Sequence, residues 1–236
     1  MERTTVPLEQ VLRKNAWHFQ PFSEESRNAE RTLESSPYPL VPLNEIVEKA
    51  VRGFPQVGSF DFDLSASGVP LLSVRNISSG DIVIDDNTKF ITEEEHAKLK
   101  RSAVQRDDVL VGLFVHRSSS LAIVYNMDEP ANLSSHLTLL RLNKDKVDPQ
   151  YLAAFLNSSL GRSLIFEITT GSVQRSLNNS QLLDLSIPLP PLSEQKKLVE
   201  AIRTKQERAA QREREADLLR EEASEQIDAF MRGEEL

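Results

Sequence analysis

Polar side chains that can bond to the edges of nucleic-acid bases are concentrated in the run from Thr170 to Asn179. Glutamine, asparagine and arginine can each make two parallel hydrogen bonds to adenine or guanine, and serine can bond to phosphate oxygens. The candidate contact residues of this run are Ser172, Gln174, Arg175, Asn178 and Asn179. Considered without its context, the run also fits an ordinary solvated turn, and this is the simpler interpretation.

Two smaller polar groups follow apolar segments, where a rigid sheet would present them. The sequence His116-Arg-Ser-Ser-Ser120 lies between two strongly apolar runs, and Arg75-Asn76 ends a third. His116, Arg117, Arg75 and Asn76 are therefore further candidates for contacts with DNA bases or phosphates. A solvated turn is again the alternative for each group.

Catalytic arrangements fit this sequence poorly. Ser118 or Ser176 with a histidine would need a nucleophile elbow, which is not found, and the scattered histidines lack metal-ligand spacing. Asp184 followed by Glu194-Gln-Lys196 imitates a nuclease signature, but this Glu and Lys begin a helix beyond three prolines. A Gly-rich phosphate loop and the Asn/Asp-Pro-Pro-aromatic run of adenine methyltransferases are both absent. We therefore expect a binding protein with no catalytic residue, metal site or cofactor.

Composition sets broad limits on the partner and the compartment. The chain has 236 residues, no cysteine and a formal net charge of −8. From Pro191 onward there are 9 basic and 12 acidic residues, which leaves 19 and 24 for the rest, so neither part is basic. A nucleic-acid contact must therefore come from local patches. No apolar run reaches the ~18 residues of a membrane span, and the lack of cysteine is compatible with the cytoplasm, where we expect the protein.

The elements that must position these side chains are mostly short. Apolar runs bounded by turn residues predict strands at 69–77, 82–84, 90–91, 108–115, 121–125 and 137–142. Apolar spacing predicts helices at 41–51, 92–101, 151–160 and 162–168. Thr92 and Asp148 are the predicted N-caps of the second and third of these helices. The predicted fold class is α+β, with a mixed globular body and one long C-terminal coiled-coil helix.

A stiff joint is predicted between the body and this long helix. The prolines within 188–191 favour an extended chain, and Ser193 after them is a good N-cap. No glycine or proline follows until Gly233, which predicts one helix from Glu194 to about Met231. A heptad seam of apolar and small residues runs along this helix: Leu198, Ile202, Ala209, Ala216, Leu219, Ala223, Ile227 and Phe230. Because so exposed a helix needs a packing partner, the seam predicts pairing with another helix.

Four segments in this order resemble the specificity subunit of type I restriction–modification systems. They are Tyr151-Leu-Ala-Ala-Phe-Leu-Asn-Ser, Thr170-Gly-Ser-Val-Gln-Arg-Ser-Leu, the apolar run 182–187, and Pro188-Leu-Pro-Pro-Leu-Ser-Glu-Gln195. In that family a target recognition domain ends in these elements and is followed by a long helix of a conserved region. The resemblance extends over about 41–231 and is strongest at 151–198.

The resemblance implies three regions: an N-terminal arm at 1–40, a target recognition domain at 41–187, and the joint with a dimerisation or partner-binding helix at 188–236. The family's usual subunit has two recognition domains and two long helices, whereas this chain has one of each. A half-length form is implied, in which two chains pair their helices antiparallel and read a two-part site. The implied partners are double-stranded DNA and a methyltransferase (modification) subunit, with a restriction subunit left open. The rival interpretation is an adaptor that assembles proteins through the helix and reads no DNA.

Overall fold

The structure is a computed structural model, and it describes residues 24–54, 68–78, 80–113, 121–169 and 176–233. The chain divides into two compact units, one ending at Leu192 and the other beginning at Ser193. The first unit combines sheets and helices, and the second is one helix, so the α+β class with a long C-terminal helix is confirmed.

Short strands make up the sheets of the first unit. They are β1 (Leu40–Pro42), β2 (Val47–Arg52), β3 (Val69–Leu72), β4 (Ile77–Ser78), β5 (Asp81–Ile82), β6 (Lys89–Ile91), β7 (Ala103–Val104), β8 (Val109–Gly112), β9 (Ala122–Val124), β10 (Ala131–Leu133), β11 (Leu137–Leu142) and β12 (Ser186–Pro188). The first sheet has the order β2-β11-β8-β9 and is antiparallel throughout. The second has the order β6-β3-β10-β7, with β10 parallel to β3. Two-stranded pairs join β1 to β12 and β4 to β5.

Helices flank the sheets and form the tail. They are α1 (Glu24–Glu34), α2 (Glu93–Lys98), α3 (Pro149–Asn157), α4 (Ser159–Ile168), α5 (Asn179–Leu183) and α6 (Leu192–Met231). Two predicted caps are confirmed, because the Thr92 side chain accepts from Glu95 N and the Asp148 side chain accepts from Gln150 N and Tyr151 N. No helix in the described ranges is both long and apolar enough to cross a membrane.

The main core lies between the two four-stranded sheets. Val51, Leu110, Leu137 and Leu139 of the first sheet pack with buried residues of the second: Leu72, Val104, Ala131 and Leu133. Successive strand residues point to opposite faces, so Leu140 and Leu142 of β11 lie on the other side of the first sheet, where α3 packs against β8 and β9. Strand β11 is therefore buried on both faces and anchors the fold.

The helix predicted at 41–51 is wrong. This segment forms β1, a 3₁₀ turn at Leu43–Glu45, and then β2, which pairs with β11 from Val47 to Arg52. The apolar spacing fits a helix, but sheet pairing with β11 and burial of Val51 outweigh that local preference. After β2, a Cβ at Gly53 would lie 2.2 Å from the Ser134 carbonyl oxygen, so glycine permits close contact with the turn after β10.

A buried ion pair fixes the end of the first sheet where β8 begins. The Asp108 carboxylate is 1% exposed and accepts from Arg141 Nε at 2.9 Å and Arg141 Nη2 at 2.8 Å. It also accepts from Gln105 N at 2.8 Å, so the buried charge is well satisfied. The Asp108 hydrogen bond in turn raises the pKa of Arg141. We call this end of the sheet the Asp108 end.

The second unit is the tail helix α6, with 40 residues from Leu192 to Met231. It begins one residue before the predicted cap, so Ser193 lies inside its first turn. Ion pairs one turn apart, Arg203 with Glu200 at 2.8 Å and Arg220 with Asp217, support the helix locally. Its large apolar side chains are exposed along much of its length: Leu198, Leu218, Leu219, Ile227, Phe230 and Met231.

Candidate nucleic-acid interface

The turn between β10 and β11 is formed by Ser134, Ser135 and His136. It lies in the middle of the end of the first sheet that is opposite the Asp108 end. Its first residue donates from Ser134 N to Leu72 O at 2.8 Å, which joins it to the end of β3. Its last residue accepts from Leu113 N at 2.9 Å, which joins it to the end of β8. Strands β2 and β8 finish at this end and β9 and β11 begin there, and we call it the loop end.

The residues that flank 114–120, Leu113 and Leu121, lie at the loop end. Gly112 N donates to Leu121 O at 2.8 Å, which closes the base of the segment. The Asn157 side chain holds the returning strand, with Oδ1 accepting from Leu121 N at 2.8 Å and Ala122 N at 3.1 Å. Its Nδ2 group donates to Ala122 O at 2.6 Å. The base of this loop is therefore rigid on both sides.

The segment 170–175 is held at both of its ends as well. Before it, Thr169 is buried, donates from N to Ile165 O at 3.1 Å, and donates from Oγ1 to Phe166 O at 2.8 Å. After it, Leu177 N donates to Leu113 O at 2.9 Å. This single bond brings the end of the 170–175 loop to the start of the 114–120 loop. The two polar loops identified in the sequence thus share an anchor at the loop end.

Several predicted contact residues lie outside the described residues. They are His116, Arg117, Ser172, Gln174 and Arg175. The structure gives the positions of the loop ends that carry them and nothing of the side chains. Their role in DNA contact stays a prediction.

The two asparagines after the second loop are placed by α5. Asn178 is its N-cap, with Oδ1 accepting from Gln181 N at 2.9 Å while Asn178 N donates to Gln181 Oε1 at 3.1 Å. This capping box accounts for an asparagine at 178 and occupies its carbonyl oxygen. Asn179 is half-buried, and within the described part of the chain its buried Oδ1 has no hydrogen-bond partner. A contact of either residue with DNA stays a prediction.

Burial of Asn76 argues against its predicted contact with DNA. Asn76 is 4% exposed, and its Oδ1 accepts from Ser73 N at 2.9 Å and from Ser73 Oγ at 3.0 Å. Its Nδ2 donates to Val83 O and to Thr88 Oγ1, each at 2.9 Å. The Asn76 amide therefore uses its hydrogen-bonding groups within the protein, where they hold the chain together after β3. Its neighbour Arg75 is exposed on the 3₁₀ turn Val74–Asn76 and stays a candidate.

Two exposed basic residues at the loop end were not identified from the sequence. Arg52 at the end of β2 donates from Nε to Ser135 O at 2.7 Å, and His136 lies in the turn itself. Arg52 was missed because a helix was predicted at 41–51, immediately before it. His136 was missed because it is a single basic residue between two strands. The sequence signal that could have marked this position is the turn of polar residues between apolar strands, Ser134-Ser-His136.

Charged side chains have different surroundings at the two ends of the first sheet. At the Asp108 end, acidic groups are engaged in pairs, including Asp107 with Lys144 at 2.6 Å and Asp128 with Arg106 at 2.9 Å. At the loop end, Arg52 and His136 are exposed around a turn that has no carboxylate. Arg52 is therefore an exposed positive charge at the loop end of a chain whose net charge is −8.

Comparison with known proteins identifies the family of this chain. Residues 60–213, which include both loops, match the model for the type I restriction modification DNA specificity domain. The chain belongs to this family. Among similar members are two Methanocaldococcus jannaschii proteins, the MjaVIII specificity subunit at 24% identity over 168 residues and the putative MjaX specificity subunit at 32% over 143 residues.

These matches cover only part of the longer relatives. The aligned regions span 70% and 57% of this chain but 38% and 32% of the two M. jannaschii specificity subunits. A solved chain from a type I R-M system has the same fold, with a TM-score of 0.57 and 18% identity, over 94% of this chain and 56% of that chain. The resemblance seen in the sequence is thereby confirmed at the level of family and fold.

Proposed function

We propose that this specificity-domain chain recognises a DNA sequence through the loops 114–120 and 170–175 and directs a type I modification methyltransferase to that sequence. The observation that carries the proposal is the 2.9 Å hydrogen bond from Leu177 N to Leu113 O, which joins the two loops at their bases. Side chains from both loops can therefore contact one stretch of duplex. Membership of a DNA specificity family supports DNA as the ligand.

In this proposal the chain itself is not an enzyme. It supplies the base contacts, and the methyl transfer and any cleavage belong to other subunits of the complex. Its polar loops carry amide and guanidinium groups suited to base edges, and no arrangement in the sequence suits a catalytic nucleophile or a cofactor phosphate. We place the assembled complex in the cytoplasm, with its DNA.

The tail helix is the proposed assembly surface. Leu198, Leu219, Ile227 and Phe230 of the predicted seam are between 48% and 65% exposed. A second copy with its helix antiparallel would cover them and bring two recognition domains to a two-part site, symmetric because the chains are identical. Helices of the modification subunit are the other occupant of the same seam.

The exposed stripe also favours a second candidate function, a protein-assembly adaptor that does not read DNA. One experiment separates the two. The chain is expressed with a type I modification subunit in a host free of other methyltransferases, and the methylome is sequenced. We expect one new sequence-specific mark, lost when Gln174 and Arg175 are both replaced by alanine. If the complex assembles but no new mark arises, the adaptor is favoured.

A further inference from the structure

Arg52 has an unusual setting for an exposed arginine. It ends β2, the edge strand of the first sheet, at the loop end. Its Nε group is bound to Ser135 O at 2.7 Å, so one side of the guanidinium is fixed against the β10–β11 turn. Within the described ranges, neither Nη group has a hydrogen-bond or ion-pair partner. The side chain is thus oriented by the protein through Nε, and the four N–H donors of its two Nη groups are left to bind a ligand.

Such a guanidinium suits an anion with paired oxygens. The planar fork of arginine matches a phosphate or carboxylate through two parallel hydrogen bonds. Fixing the group through Nε lowers the entropy lost when the anion binds, because the side chain is already ordered. The single exposed hydrogen bond to Ser135 O stabilises the turn only slightly, so holding the turn gives a weak reason for an arginine at this position.

The distance from Arg52 to strand β8 favours a DNA phosphate as the anion. Strand β11 lies between β2 and β8, so Arg52 is two strand spacings, about 10 Å, from the strand that leads into the 114–120 loop. The major groove of DNA is about 12 Å wide and is bordered by phosphates. A loop that enters the groove therefore places Arg52 near one of the backbones that border it.

We propose that Arg52 binds a phosphate of the DNA backbone beside the bases contacted by the two loops, and that it positions the domain on the duplex without reading sequence. The inference rests on the proposed function, because it needs DNA at the loop end. It goes beyond that function by assigning a residue that no sequence motif marks. Arg75 is a weaker choice, since Asn76 links its turn to Thr88 and through it to the carboxylate of Asp85.

The test compares DNA binding by the full chain, with its modification subunit, across a series of salt concentrations. Arg52→Gln removes the charge, while its amide can still donate to Ser135 O. Arg52→Lys keeps the charge and loses the fork. Arg106→Ala is the matched control, because it removes an exposed arginine at the Asp108 end. Affinity is measured for a duplex that carries the sequence methylated by the complex and for a duplex of random sequence.

We expect Arg52→Gln to weaken binding at least about threefold on both duplexes and to reduce the salt slope by about 0.9, as for one lost phosphate contact. Arg52→Lys should recover most of the slope, and Arg106→Ala should leave it unchanged. An unchanged slope in Arg52→Gln, with a wild-type complex that still selects its target, overturns the phosphate contact and leaves the proposed function standing. An equal loss in the Gln and Lys variants also overturns it, since that indicates a purely structural role. A wild-type complex that binds neither duplex overturns both proposals.

Discussion

At the scale of single residues, the polar side chains of this fold separate into those that hold the chain and those that face outward. Asn76 and Asn157 are of the first kind: the Asn76 amide bonds to main-chain groups on both sides of its turn, and the Asn157 amide bonds to the main chain of Leu121 and Ala122. Arg75 and Arg52 are of the second kind. Adjacent residues such as Arg75 and Asn76 look equally suited to DNA in the sequence, and only the three-dimensional hydrogen bonding distinguishes them.

Base recognition is predicted to reside in Gln174 and Arg175. Replacing either by alanine should cost about 1–3 kcal/mol for the target duplex, the usual size of a lost bidentate base contact. The loss on random DNA should be much smaller, because base contacts do not contribute there. Fluorescence anisotropy on both duplexes measures the difference, and Gln150→Ala on α3 is a control for an exposed glutamine. Equal losses on both duplexes would assign the contact to phosphate instead.

At the scale of elements, the sequence predicted those features that depend on residues close together in the chain. Strand β11 was predicted with its bounds at Leu137 and Leu142, and the caps Thr92 and Asp148 were predicted from side-chain chemistry that acts within one turn. The helix predicted at 41–51 is wrong because the apolar spacing of this segment fits a helix. The segment forms a strand instead because it pairs with β11, about 90 residues later in the chain. The meeting of two loops at Leu113 and Leu177 is likewise long-range, and no local pattern encodes it.

Tyr151 on α3 is predicted to stabilise the last strand of the body. Its hydroxyl donates to Pro188 O in β12 at 2.6 Å, and burial raises the pKa of Tyr151 to about 12. Tyr151→Phe should lower the free energy of unfolding by about 1 kcal/mol at neutral pH. Because the folded pKa is raised, the stabilisation is present below pH about 10 and is lost as the pH rises from there toward 12.

Urea unfolding of wild type and Tyr151→Phe at a series of pH values tests this prediction. The difference between the two proteins should shrink above pH about 10, since the unfolded tyrosine then ionises. The comparison is needed because burial also raises the pKa of Tyr125 to about 12, and both proteins share that residue. A difference that stays constant up to pH about 12 would contradict the role of the hydroxyl proton.

At the scale of the whole molecule, assembly and stability are predicted to depend on different residues. For assembly, Ala216→Glu places a charge in the predicted seam of α6 and should weaken association by a few kcal/mol, on the order of the cost of burying an unpaired charge. Ala210→Glu is the matched control, because it makes the same substitution at an exposed position off the seam. Sedimentation of the chain alone and with its modification subunit measures the effect. Identical behaviour of the two variants would show that the seam is wrongly placed.

For stability, the Asp108 end is predicted to matter more than any single loop residue. Asp108→Ala leaves the partly buried Arg141 without its carboxylate and should lower the free energy of unfolding by about 3–5 kcal/mol. The sequence that is methylated should not change, since the ion pair lies at the far end of the sheet from the loops. Thermal unfolding gives the first quantity and methylome sequencing the second. A changed recognition sequence would show that the two ends are coupled.

The bonds that hold the loop bases are made largely by main-chain atoms. Leu177 N to Leu113 O, Leu113 N to His136 O and Gly112 N to Leu121 O need no particular side chain inside the loops themselves. Mutation or recombination can therefore replace the residues of 114–120 and 170–175 while the attachment points persist. Under the proposed function, exchange of these two short segments would change the DNA target of the complex, while the stability contributed by the Asp108 end would be kept.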